Sequence, residues 1–128
     1  MKTVTAAIIR KGNKVLIARR APGEKLAGFW EFPGGKVEEG ETLQECLERE
    51  LQEEFGIITK SGKVLVSSIY EYAHGIFEIV ALETMIISGK PELRVHDEIG
   101  WVDIDKLSTV QFLPADIAIV DYLVDANK

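Results

Sequence analysis

Residues 35–57 read GKVEEGETLQECLERELQEEFGI, and eight carboxylates fall between Glu38 and Glu54 inside that run. Thr42, followed three residues later by Glu45, forms a capping box and predicts a helix that begins at Thr42. Gly56 supplies the residue that ends it, so the helix covers about 42–55. On a wheel of roughly 100° per residue, Leu43, Leu47, Leu51 and Phe55 spread over about 120° and form the buried stripe. Glu45, Glu48 and Gln52 fall opposite it, where water is expected. Glu50 and Glu54 are i,i+4 neighbours at the edge of the stripe close to Cys46, and Glu53 lies just beyond Glu50. Like charges at that spacing repel. Carboxylates at the rim of a core are costly unless paired or bound to a cation. Arg49 is expected to pair with one of the three, not all. Two readings stay open from these residues: a solvated ion-pair network, or a site for Mg²⁺ or Mn²⁺, which take hard oxygen ligands and accept phosphate oxygens as well.

Outward from the helix, Gly34, Gly35 and Gly40 bracket a tight loop in which backbone can approach a ligand closely. Phe29-Trp30-Glu31-Phe32 reads as a short aromatic strand ahead of it. Thr3 to Arg10 and Val15 to Arg20 are strands joined at Gly12-Asn13, which predicts a hairpin. Val15-Leu16-Ile17-Ala18 is apolar on both faces, so that strand is expected to be covered on both sides. Lys63 to Tyr72 and Ile76 to Ile87 flank the turn at Ala73-His74-Gly75. Gly100 to Ile104 is a short strand, and Pro114 to Val124 is a closing helix with proline near its first turn. Strands and helices interleave without repeats or linkers, which argues a mixed sheet packed between helices in one domain.

The chain has 128 residues, 46% hydrophobic and 28% charged, the balance of a soluble domain able to bury its own core. No apolar run is long enough to span a bilayer, and the start reads as a strand rather than a signal peptide. The single Cys46 excludes an internal disulfide and a cysteine-based zinc site, so a reducing, cytoplasmic location is the default expectation. A net charge of −6 and a pI near 5.0 argue against binding duplex nucleic acid. A phosphorylated ligand therefore needs another source of attraction, and a divalent metal is the obvious one.

The opening run matches the Nudix box, G-x5-E-x7-R-E-U-x-E-E-x-G-U with U aliphatic, at Gly35, Glu41, Arg49, Glu50, Leu51, Glu53, Glu54, Gly56 and Ile57. Leu16-Ile17-Ala18-Arg19-Arg20, Trp30-Glu31-Phe32-Pro33-Gly34-Gly35 and Leu113-Pro114-Ala115-Asp116 resemble the MutT-like and CTP-pyrophosphohydrolase branch of that family. The resemblance covers nearly the whole chain. It implies an α/β fold, an α/β/α sandwich with a mixed sheet between helices, formed by residues 1–128 as a single domain. It also implies Mg²⁺-dependent hydrolysis, with Mn²⁺ as the alternative ion. For this branch the substrate is a nucleoside triphosphate such as 8-oxo-dGTP or (d)CTP, cut to the monophosphate and pyrophosphate.

By the same resemblance, Glu50, Glu53, Glu54 and the Gly35 carbonyl would ligate metal, while Glu41 and Arg49 would brace the loop against the helix. Arg20, Phe32, Lys36 and Asp116 would bind substrate. Relatives add a glutamate from a loop shortly before a tryptophan. Here that position is Val95, ahead of Trp101. Glu98 is the candidate to replace it, with Asp97, His96 or a helix glutamate as alternatives. Asp116 stands where the MutT type has asparagine, which donates and accepts at once, whereas an ionised aspartate only accepts. Its place in the first helical turn is equally explained by the helix dipole. Phe29, Trp30, Tyr70, Tyr72 and Phe77 are read as core and sheet-face residues rather than stacking partners, and His74 and His96 as surface or hydrogen-bonding groups. The expected partner is a small nucleotide, with no duplex nucleic acid and no membrane, in a monomer or homodimer. Two rivals remain: a hydrolase of ADP-ribose or another nucleoside diphosphate compound, and a Nudix nucleotide sensor that does not cut.

Overall fold

The alternation of apolar residues on both faces of the first two strands decides the layering. The computed structural model describes residues 1–128. Strand β1 (Lys2–Lys11) and strand β2 (Lys14–Arg20) pair antiparallel at Arg10–Val15 and Lys11–Lys14, then splay apart. Beyond that turn, β1 takes β4 (Gly34–Lys36) antiparallel and β6 (Gly75–Ser88) parallel as neighbours. Strand β5 (Ile58–Tyr72) closes that side against β6, while β3 (Trp30–Glu31) and β7 (His96–Asp103) both pair with β2.

Successive residues of a strand point to opposite faces. Ala7, Ile9, Leu16 and Ala18 therefore pack on one side against Leu47, Leu51 and Phe55 of helix α1 (Leu43–Phe55). Ala6, Ile8, Val15 and Ile17 pack on the other against Ile119, Val120 and Leu123 of helix α2 (Ile117–Ala126). The result is the α/β/α sandwich with a mixed sheet. No helix is long and apolar enough to cross a membrane.

The acidic helix forms as its sequence predicts. The Thr42 side chain accepts from the Glu45 N–H, the Glu45 side chain accepts from the Thr42 N–H, and Gly56 ends the helix at φ 68°. Several boundaries differ from expectation. Strand β5 begins at Ile58 instead of Lys63, because its polar first half is held by backbone pairing to β6 across irregularities around Gly62. Strand β7 begins at His96 instead of Gly100, since β2 supplies a ladder to residues with no strand pattern. The closing helix opens with a 3-10 turn at Pro114–Asp116, and a second such turn spans Ile104–Thr109. Glu48 is not simply solvated: it accepts from the Ser61 N–H at 2.8 Å and ties α1 to β5. It lies only about 20° round the helix from Phe55, at the edge of the buried stripe, where β5 passes.

Candidate active site

Strand β4 lies between β1 and the Glu50 side chain of α1, and its two glycines allow both approaches. A Cβ on Gly34 would strike the Thr5 carbonyl, and one on Gly35 would strike the Glu50 carboxylate. Glycine is needed here for close approach. It brings the loop backbone directly against the acidic helix.

Arg49 is the hub between them. Its Nε donates to Glu41 at 2.6 Å and its Nη2 to the other oxygen of Glu41 at 3.0 Å. Nη1 donates to Glu50 at 2.8 Å and to Glu53 at 3.4 Å, and Nη2 also reaches the Lys36 carbonyl at 3.2 Å. The guanidinium fork thus reaches two of the three clustered glutamates where one was expected, because it offers five donors in a plane. The bond to Glu41 is the largest cause of a raised Arg49 pKa and of a lowered Glu41 pKa.

Glu54 has no cation in contact. Burial first, then the charges of Glu50 and Glu31, push its carboxyl up to about 8. Glu53 behaves differently: its side chain is 61% exposed and turned toward Arg49. In this arrangement no three His, Cys, Asp or Glu side chains stand together in metal-binding geometry. The structure brings Glu50, Glu54 and Gly35 to one place and leaves Glu53 at its edge.

A cleft of about 970 Å³ is lined by Gly35, Lys36, Glu50 and Glu54, and also by Arg20, Phe32 and Asp116. Phe32 forms its floor, buried and stacked on Phe112 with ring centroids 5.0 Å apart. Asp116 is 6% exposed and accepts from the Phe32 N–H at 3.1 Å. It makes no capping bond to α2, so its place in the fold is set by Phe32 rather than by the helix end. Burial is the main cause that raises its carboxyl to about 7, with the Glu31 charge adding to it. A second cavity of about 1040 Å³, with Arg10, Lys60 and Trp101 in its lining, holds none of the expected site residues.

A family model for the NUDIX domain matches residues 1–123. The chain belongs to the Nudix family. It is 34% identical over 121 residues to the CTP pyrophosphohydrolase of Escherichia coli, covering 94% of this chain and 90% of that protein. It is 33% identical over 123 residues to the 8-oxo-dGTP diphosphatase of Haemophilus influenzae, covering 95% and 90%. The crystal structure of a MutT protein from Methanosarcina mazei superposes with a TM-score of 0.88 at 26% identity, covering 99% of this chain and 95% of that one.

In this Nudix chain Glu98 does not line the cleft. It pairs with Arg19 at 3.2 Å and is 53% exposed, while Asp97 accepts from Arg19 Nε at 2.8 Å. Val95 is exposed. Sequence reasoning missed three features of the cleft. Glu31 lies in it, held by Arg20 Nη1 at 3.2 Å and by His96 Nε2 at 2.7 Å. Its position inside the Trp30–Gly35 motif was the available signal. Tyr72 and His74 also line it, stacked at 5.1 Å, and the Tyr72 hydroxyl accepts from the Ala115 N–H at 3.0 Å. Lys2 and Lys25 join Arg20 and Lys36 in the lining, and the charges of all four lower the pKa of His74 after burial has done so. A net charge of −6 conceals these four cations, which stand in the cleft beside Glu31, Glu38, Glu50, Glu54 and Asp116.

Proposed function

We propose that this Nudix chain is a Mg²⁺-dependent nucleoside triphosphate pyrophosphohydrolase. It cuts an oxidised, modified or surplus nucleotide, such as 8-oxo-dGTP or (d)CTP, to the monophosphate and pyrophosphate, and so clears the nucleotide pool. One observation carries the reading: a single cleft is lined both by the carboxylate pair Glu50 and Glu54 and by the buried Asp116. A pocket of that size with a few convergent polar groups suits a nucleotide. The activities named for the Escherichia coli and Haemophilus influenzae relatives support the same substrate class.

The donor set fits a divalent cation. Glu54 is a partly buried carboxylate beside a second one, with no cation touching it. Oxygen donors of this kind suit Mg²⁺. Glu50, Glu53, Glu54 and the Gly35 carbonyl are the groups that would hold it. When bound, the ion supplies neutralisation of the triphosphate charge and activation of an attacking water. Arg49 orients Glu50 and Glu53 from the helix side and ties the Lys36 carbonyl and Glu41 to them. Lys36, with Lys2 and Lys25, supplies cations in the cleft lining that attract a phosphate chain.

On this reading Asp116 and Phe32, which both line the cleft, receive the base. With its carboxyl raised to about 7, Asp116 is protonated in part of the molecules at neutral pH. The protonated form donates and accepts as an asparagine does, so the restriction to accepting alone holds only for the ionised form.

The test is a panel of ordinary and oxidised nucleoside triphosphates, together with ADP-ribose, incubated with Mg²⁺ and resolved by chromatography. Pyrophosphate with a monophosphate from at least one triphosphate is the expected outcome. Cleavage of ADP-ribose alone, or nucleotide binding with no product, would overturn the reading. Glu53→Gln is expected to slow turnover strongly, and an unchanged rate would remove Glu53 from the site.

A further inference from the structure

His96 has no part in the chemistry proposed above, yet its side chain is buried and held by both Glu31 and Phe55. Its side chain is 5% exposed, and Nε2 lies 2.7 Å from the Glu31 carboxylate. The ring stacks on Phe55 at 5.1 Å and 17°. Nδ1 is buried and has no partner. Strand β2 brings the group together, since it pairs with β3 through Ala18–Glu31 and with β7 through Arg20–His96.

An orphaned buried N–H is rarer and costlier in proteins than an under-used acceptor. Placing a proton on Nδ1 would create such an orphan, whereas placing it on Nε2 gives it to Glu31. We infer that His96 is a positioning residue for the nucleotide cleft, donating from Nε2 to hold Glu31 in place against Arg20. This rests on the triphosphate pyrophosphohydrolase reading of the same cleft.

The consequence follows from what Glu31 touches. Arg20 donates from Nη1 to its other oxygen at 3.2 Å, and Arg20 is itself fixed by its Nε bond to the Lys25 carbonyl at 2.6 Å. Glu31 therefore has both carboxylate oxygens engaged, and Arg20 Nη1 also reaches the oxygen facing His96, at 3.5 Å. Its charge also contributes to the raised pKa values of Glu54 and Asp116. Without the His96 donor that oxygen keeps only the longer bond to Arg20, and the Glu31 charge at the base end is no longer held from both sides. The loss is one hydrogen bond to a charged group inside a partly buried network.

The tautomer is tested directly on the wild-type protein by long-range ¹H–¹⁵N correlation at neutral pH. The expected spectrum shows a protonated Nε2 and an unprotonated Nδ1. A protonated Nδ1 would overturn the inference whatever the enzyme acts on. The positioning role is tested by His96→Phe, which keeps the buried stack and removes the donor, beside His96→Gln, which restores an N–H. His96→Phe is expected to raise KM about tenfold with a smaller change in kcat, and His96→Gln to recover most of it. Combining His96→Phe with Glu31→Gln should add little to Glu31→Gln alone. Additive losses, or equal effects of the Phe and Gln variants, would assign His96 to packing only. If no triphosphate is turned over by the wild type, the function fails while the tautomer result still stands on its own.

Discussion

Asp116 shows how burial changes what a residue can do. Its folded pKa, about 7, lies above its ordinary value of 3.8, so the fold favours its protonated form. The stability this brings is complete below about pH 4 and is lost as pH rises through about 7. Asp116→Asn keeps an oxygen for the Phe32 N–H and removes the charge. Its melting temperature should therefore match wild type near pH 4 and exceed it at pH 8, by an amount corresponding to about 4 kcal/mol at most. An equal difference at both pH values would show that the carboxyl is ionised throughout. Gly35→Ala is the complementary case at the phosphate end, because its methyl group meets the Glu50 carboxylate. Circular dichroism should show a folded protein, and the rate of pyrophosphate release should fall at least tenfold. Full activity in this variant would mean that the loop and helix do not need this close approach.

At the scale of elements, α1 carries the glutamates and was the most legible part of the chain. Thr42, Glu45 and Gly56 mark its ends through bonds that depend only on local spacing, and all three make those bonds. Thr42→Ala removes one half of the capping box and should cost about 1 kcal/mol in denaturant unfolding, while Thr42→Ser should cost little. No loss in Thr42→Ala would mean that packing alone fixes the helix start. Other elements were hidden because their causes are not local. Gly34–Lys36 becomes a strand only because β1 lies beside it, and the polar residues from His96 to Glu98 become one because β2 does. The site divides in the same way. Glu50, Glu54 and Gly35 were readable from one contiguous motif. Glu31 and His96 meet across 65 positions of sequence, so their bond could not be read from spacing.

For the whole molecule, two apolar layers clamp one sheet, and one cleft gathers four cations among its carboxylates. Leu51 is fully buried between α1 and the sheet. Leu51→Ala should cost roughly 2–5 kcal/mol by the cavity it leaves. Lys2, Lys25 and Lys36 are the cleft lysines that the average charge of −6 conceals. Lys36→Glu should raise KM for a triphosphate, and the effect should shrink as salt is raised toward 0.5 M, on the order of the concentrations at which exposed charges are screened. A salt-independent effect would place Lys36 in direct contact instead of in the field.

In the proposed function, Glu50 and Glu54 support nucleotide hydrolysis by holding a divalent cation. The most direct measurement is ³¹P NMR of the products formed from 8-oxo-dGTP or dCTP by wild type and Glu54→Gln, with Mg²⁺ and with chelator. Monophosphate and pyrophosphate from wild type with Mg²⁺, lost with chelator and reduced more than about a hundredfold in Glu54→Gln, is the predicted result. Turnover that survives the chelator, or a Glu54→Gln protein as fast as wild type, would contradict it.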